Sequence, residues 1–118
     1  MSRRTERLSE LLRAEIARAL REDISDPRIG QVTLTRVDVA PDMSHAVVFF
    51  SGLEARDEDA VATLAAGLES ASGRLRTLIA KRLVARKMPE LRFRHDPSLE
   101  LGGETLRLLE QLSDGQVS

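Results

Sequence analysis

The chain has 118 residues, with 18 Lys and Arg against 19 Asp and Glu, and 42% of it is hydrophobic. That length suits one domain with its own core, and the absence of cysteine excludes disulfides, thiol catalysis and thiolate metal sites. The start of the chain is unlike a signal peptide, and no stretch could span a membrane, so we expect a cytoplasmic protein.

The first predicted element is an amphipathic helix from Thr5 to about Glu22. Its apolar residues recur at three- and four-residue spacing, and arginines flank the apolar stripe. Ser25-Asp26-Pro27 ends the helix, because the residue before a proline avoids the helical region and proline has no amide hydrogen to donate.

Two strands follow and should pair as a hairpin. The stretch from Gln31 to Val39 is rich in Val and Thr, but its two halves place their apolar residues on opposite faces. A bulge near Thr35 or Arg36 would reconcile the two halves. The stretch from His45 to Phe50 is a second apolar strand, and Pro41-Asp42 supplies the turn, in a loop of about four or five residues.

A long helical stripe begins near Asp57, where acids suit the positive end of a helix. Ala71-Ser72-Gly73 interrupts the stripe, because glycine costs a helix interior roughly 1 kcal/mol against alanine and serine competes for backbone hydrogen bonds. We therefore predict an interhelical kink at Ala71, Ser72 and Gly73, where small residues let two helices cross closely.

The remaining elements complete an α+β fold. After Pro89, apolar residues alternate with arginines up to Arg94 as in a half-exposed strand, and Asp96-Pro97 can start a short last helix. The predicted order is helix-strand-strand-helix-kink-helix-strand with a short C-terminal helix, around a three-stranded mixed sheet. Residues 1–112 form the single domain, and residues 113–118 form a flexible tail.

The basic residues concentrate after the predicted kink. Residues 71–94 hold eight Lys or Arg and one acid, whereas residues 57–70 hold four acids and no base. A run of charged residues is ordinarily a solvated face of a helix, in which acids alternate with bases. Such acids are missing here, so the run favours an anionic partner, most commonly nucleic acid. The candidate RNA-binding residues are Arg74, Arg76, Lys81, Arg82, Arg86, Lys87 and Arg92, together with Arg3, Arg4 and Arg7.

The residue types narrow the chemistry further. The aromatic residues are three phenylalanines, which the core can absorb, so we expect contacts to an RNA backbone rather than base stacking. His45 and His95 each stand near an acid, but nothing frames a nucleophile, and no metal-ligand spacing or glycine-rich phosphate loop occurs. We expect no catalytic residue, cofactor, metal or small-molecule substrate.

Several short motifs resemble the bacterial ribosome-binding factor A family. Ala71-Ser72-Gly73 resembles the Ala-x-Gly kink that stands in that family where KH domains have a Gly-x-x-Gly loop. Three further segments are similar in sequence and order: Asp26-Pro27-Arg28-Ile29-Gly30, Asp42-Met43-Ser44-His45-Ala46 and Pro89-Glu90-Leu91. The resemblance covers the chain from about Arg3 to Leu112 and implies a type II KH-like fold.

The resemblance also implies a function. Members of this family are small cytoplasmic factors that bind the immature 30S small ribosomal subunit and its 16S rRNA, assist late maturation and rRNA processing, matter in cold adaptation and are not enzymes. We further expect a monomer. The alternative is a non-catalytic protein-interaction module that uses the N-terminal helix and the hairpin edge, with a merely solvated basic face.

Overall fold

The computed structural model describes residues 3–52, 57–84 and 87–97. Its elements, in chain order, are α1 (Arg3–Glu22), β1 (Val32–Val39), β2 (His45–Gly52), α2 (Glu58–Leu83) and β3 (Glu90–His95). The predicted α+β class is confirmed. The last helix, expected beyond Pro97, and the tail at residues 113–118 lie outside the described residues. A type II KH arrangement stays a prediction.

The strands form one mixed sheet in the order β1-β2-β3. The first two are antiparallel through the loop at residues 40–44, and β3 runs parallel to β2 because α2 carries the chain back across the sheet. The β1 register shifts between Leu34 and Arg36, which confirms a bulge at Thr35. This bulge turns both Leu34 and Val37 into the core, where they are 6% and 4% exposed.

Both helices pack on one face of the sheet. The fully buried side chains are Leu12 and Ile16 of α1 and Leu68, Leu75 and Ile79 of α2. They meet the inward-facing strand residues Leu34, Val37, Val39, Ala46, Val48, Phe50 and Leu91. Burying each large apolar side chain contributes about 1.5–3 kcal/mol, so this layer fixes the helices on the sheet.

One correction concerns α2, which is a single helix through Ala71 and Gly73. The prediction of two helices separated by a break is therefore wrong. Gly73 has no positive φ, and no described atom beyond its chain neighbours and the helix's own backbone lies within 4 Å of the position a Cβ would take, so no described segment crosses closely there. Ala71 and Leu75 are buried on either side, and their burial offsets the roughly 1 kcal/mol cost of the glycine. A bend of the axis at Ala71, Ser72 and Gly73 stays a prediction.

The close approach occurs at Gly67 instead. A Cβ on Gly67 would stand 3.0 Å from Ile29 Cγ1 and 3.1 Å from Arg28 Cβ. Ile29 is only 5% exposed, so the loop between α1 and β1 lies directly on α2 at this point. Gly67 is the residue that lets the loop and the helix touch.

Candidate nucleic-acid interface

Arg74 and Lys81 stand on one exposed side of α2. They are seven residues apart, so about two helical turns, or roughly 10 Å, separate them along the helix axis. Among residues 3–52, 57–84 and 87–97, no acidic side chain forms an ion pair with either of them. Their charges therefore face solvent without an acidic partner in that part of the chain.

Arg28 extends this side of the helix toward its N-terminus. Gly67 lies seven residues before Arg74 on the same side, and Arg28 rests over it. The Arg28 side chain donates from Nη2 and Nε to Asp26 at 2.7 and 3.1 Å. These hydrogen bonds, with one from the Arg28 backbone N–H at 2.9 Å, hold the pKa of the Asp26 carboxyl below its ordinary value. We call Arg28, Arg74 and Lys81 the α2 flank.

The sequence did not indicate Arg28 as a candidate RNA-binding residue, nor its contact with Gly67. A glycine inside a helical apolar stripe is a signal of close contact with another segment. Gly67 lies seven residues before Arg74, so the two residues are on the same side of the helix, and the glycine also indicates where the contact forms. Only the folded chain shows which segment makes the contact.

Arg76 stands on the other side of α2 and connects it to the chain entering β3. Its Nε donates to the Pro89 carbonyl at 3.1 Å, and its Nη2 donates to the Met88 carbonyl at 3.0 Å. Farther along, Glu69 accepts a hydrogen bond from the Phe93 amide at 3.4 Å. Arg76 therefore helps to hold β3 beside the helix and is only in part available to a partner.

Arg82 connects the end of α2 to α1. Its Nη2 forms an ion pair with Asp23, and its Nη1 lies 4.0 Å from Glu15 Oε2. The side chain is 27% exposed, so this cluster is partly shielded from water. One arginine faces two carboxylates, which makes the local charge negative. At this end of α2 the positive potential therefore comes from the exposed Lys81 rather than from Arg82.

The other predicted RNA-binding residues lie apart from the α2 flank. Arg92 is exposed on the face of the sheet opposite the helices, with its Nη2 3.7 Å from Glu90, and Lys87 is exposed just before β3. The exposed arginines at the start of α1 are Arg3, Arg4 and Arg7. Arg86 lies outside the described residues. The basic block is continuous in sequence but is divided among separate surfaces.

The polar cluster in the hairpin loop does not have the order of a hydrolase triad. The Ser44 hydroxyl donates to Asp42 at 2.7 Å and lies 3.0 Å from His45 Nδ1. Serine therefore stands between the acid and the imidazole, whereas catalysis requires the imidazole between the other two. The hydrogen bond from Ser44 also lowers the pKa of Asp42, as expected for a loop-stabilising carboxylate.

Metal sites and membrane-spanning helices are both absent from the described residues. No group of three or more His, Cys, Asp or Glu side chains there could hold a metal ion. None of the helices in that part of the chain is long and apolar enough to cross a membrane.

Comparison with known proteins gives consistent matches. The family model described as ribosome-binding factor A matches residues 4–109. Ribosome-binding factor A of Thermomicrobium roseum is 44% identical over 111 residues, which cover 94% of this chain and 84% of the relative.

Solved structures match as well. The solution structure of a Thermotoga maritima protein, a putative ribosome binding factor A, is 30% identical with a TM-score of 0.69, covering 80% of this chain and 88% of that one. The fold is also similar to a homology model of Thermus thermophilus ribosome binding factor A that was fitted into a cryo-EM map of its complex with 30S. That match has 24% identity and a TM-score of 0.58, and it covers 83% of this chain and 97% of the other.

Proposed function

This chain belongs to the ribosome-binding factor A family, and on that premise we propose that it binds the small ribosomal subunit through its rRNA. A homology model of the Thermus thermophilus protein of similar fold was fitted into a cryo-EM map of its 30S complex, which supports the same partner here. The partner is a polyanion, and the α2 flank is a surface suited to one.

The observation that carries the proposal is the α2 flank itself. Arg74 and Lys81 stand about 10 Å apart along one side of a rigid helix, the loop residue Arg28 lies over Gly67 on the same side, and an RNA backbone is a regular row of negative charges. The four acids of residues 57–70 include Asp57, Glu58 and Asp59 at the other end of the helix, which gives the molecule a defined electrostatic orientation. Phosphate contacts of this kind position a protein on RNA without reading its sequence.

The finer parts of the proposal follow from the family. The chain acts as a single-domain, monomeric assembly factor in the cytoplasm, on the immature subunit and during late maturation and processing of 16S rRNA. It contributes to cold adaptation. It acts by binding alone and uses no catalysis, no cofactor and no small-molecule substrate.

Sedimentation of a cell lysate tests the proposal. We expect the protein to migrate with small subunits and their precursors in a sucrose gradient. A double variant, Arg74→Glu with Lys81→Glu, should shift it toward the top of the gradient, because both changes place negative charge beside phosphates. The matched control is Glu58→Gln, an exposed change on the acidic end of the same helix, which should sediment as the unaltered protein does. A chain that stays with free soluble proteins under all conditions would contradict the proposal.

A further inference from the structure

The face of the sheet opposite the helices carries ordered rows of side chains. Arg36 of β1 pairs with Phe49 of β2, and Phe49 pairs with Arg94 of β3, so these three residues stand in one row across the sheet. In the antiparallel pair of β1 and β2, residues directly opposite one another, such as Arg36 and Phe49, have Cβ atoms about 4.5–5.5 Å apart. An aromatic ring thus lies between two arginines at the centre of this face.

Phe49 and Arg36 are already stacked. The Arg36 guanidinium carbon lies 4.3 Å from the centroid of the Phe49 ring, within cation–π range. Phe49 is only half-buried, whereas Phe50, the next residue, is 1% exposed and belongs to the core. The Arg36 side chain is 62% exposed. The pair forms a flat platform at the surface, made of an aromatic ring and a guanidinium plane.

The second row carries side chains of both charges. Val47 pairs with Asp38 on one side and with Arg92 on the other. Arg36 Nε lies 3.1 Å from Asp38, and Arg92 Nη2 lies 3.7 Å from Glu90, and all four side chains are at least one-third exposed. Exposed ion pairs of this type contribute little to stability, so a phosphate can replace the carboxylate at small cost. Arg94 is also exposed.

We propose that this sheet face, formed by Arg36, Phe49, Arg92 and Arg94, binds unpaired nucleotides of a single-stranded RNA segment. A base stacks on the Phe49–Arg36 platform, and Arg92 and Arg94 contact the adjacent phosphates. Aromatic rings and arginine planes are the surfaces on which proteins stack unpaired bases, and flanking positive charge holds the backbone.

This inference rests on the proposed function, because it adds a second RNA contact to the same protein. Both helices pack on the other face of the sheet, so the α2 flank and the platform face different directions. A chain with both surfaces can hold two RNA segments at once. The α2 flank contacts backbone at any sequence, and the platform selects RNA whose bases are free to stack.

The test uses a fluorescein-labelled eight-nucleotide single-stranded RNA and measures affinity by anisotropy. Phe49→Leu keeps an apolar side chain on β2 but removes the ring, and we expect the affinity to fall about 5- to 150-fold, the range for stacking of one base. Arg36→Lys keeps the charge but removes the flat guanidinium, so it should also weaken binding while leaving the salt dependence of affinity unchanged. Thr33→Ala is the control, an exposed position on β1 outside both rows, and should bind as the unaltered chain does.

A spectroscopic readout separates stacking from a structural effect of these variants. The chain has three phenylalanines and no Tyr or Trp, so the Phe49 ring protons can be resolved by NMR. Stacking of a base should move them upfield when the RNA is added to the unaltered protein. Unmoved Phe49 resonances at saturating RNA would overturn the inference, and so would equal affinity in Phe49→Leu and in the control.

The two proposals fail in distinguishable ways. If the α2 flank double variant leaves the small subunit while Phe49→Leu binds single-stranded RNA normally, the platform inference is wrong and the proposed function stands. If the unaltered chain never sediments with small subunits but the RNA moves the Phe49 resonances, the proposed function is wrong and the platform is a general single-strand site. Equal displacement of the RNA by an oligoglutamate peptide would show that charge alone operates here, and would overturn the stacking step.

Discussion

Alanine at Gly67 and alanine at Gly73 should have opposite effects on stability, although both residues lie in α2. Each substitution gains the helix propensity of alanine over glycine, about 1 kcal/mol. Gly73 has open space where a Cβ would stand, so Gly73→Ala should stabilise the protein by about that amount. At Gly67 the new Cβ would meet Ile29 Cγ1 at 3.0 Å and Arg28 Cβ at 3.1 Å, which requires these neighbours to shift by a few tenths of an ångström.

The expected difference can be worked from these contacts. Overpacking of a buried position costs about 1–3 kcal/mol, which cancels or exceeds the propensity gain. Gly67→Ala should therefore lower the free energy of unfolding by about 0–2 kcal/mol, whereas Gly73→Ala raises it by about 1 kcal/mol. For a domain of this size the gap corresponds to a difference in Tm of roughly 4 °C per kcal/mol.

Thermal or urea unfolding followed by far-ultraviolet circular dichroism measures both variants against the unaltered chain. A double-mutant cycle with Ile29→Ala provides the control: removing Ile29 Cγ1 relieves one of the two close contacts, so the penalty at Gly67 should shrink in that background. If Gly67→Ala stabilises the protein as much as Gly73→Ala does, the loop does not lie on the helix as described, and the placement of Arg28 on the α2 flank is refuted.

Three further predictions concern the C-terminal end of α2 and the loop before β1. Val84 ends the helix at φ 50 and is 88% exposed, so Val84→Gly should raise Tm by relieving a strain of about 1 kcal/mol, and an unchanged or lower Tm would contradict this. Arg82→Ala should lower the free energy of unfolding by about 1–3 kcal/mol because Asp23 keeps a partly buried charge without its partner, and a neutral result in urea unfolding would show the pair to be dispensable. The hydrogen bonds from Arg28 lower the pKa of Asp26, so its contribution to stability is present above the ordinary carboxyl pKa and is lost as the pH falls through the lowered value. The loss of stability in Asp26→Asn should therefore be constant near neutral pH and vanish in acid, and a pH-independent loss would exclude the ion pair as its cause.

Local pattern predicted much of the fold. The bulge at Thr35 followed from two apolar phases in one strand, because a strand can bury both halves only if an extra residue shifts the register. Asp57 accepts a hydrogen bond from the Ala60 amide at 2.7 Å, as an acid at a helix start should. The bulge and the helix cap each depend on residues close together in the sequence, so the local sequence pattern is enough to predict them.

Contacts between distant segments could not be predicted in the same way. The run of small residues Ala71-Ser72-Gly73 predicts a close crossing there, but the contact forms at Gly67, where the loop after α1 meets the helix. Arg82 looked like part of a basic surface, and its partner Asp23 lies 59 residues earlier in the chain. Spacing along a helix identifies a side of that helix, whereas the segment that packs there is determined by the whole topology.

The salt dependence of binding to purified small ribosomal subunits tests the central claim most directly. Removing one basic side chain that neutralises a phosphate should lower the slope of log affinity against log salt concentration by about one. We predict that Arg74→Ala and Lys81→Ala each weaken binding and each reduce the slope by about one, while Glu58→Gln leaves the slope unchanged. A slope that is the same in all three variants, with affinity intact, would contradict the assignment of the α2 flank as the RNA-binding surface.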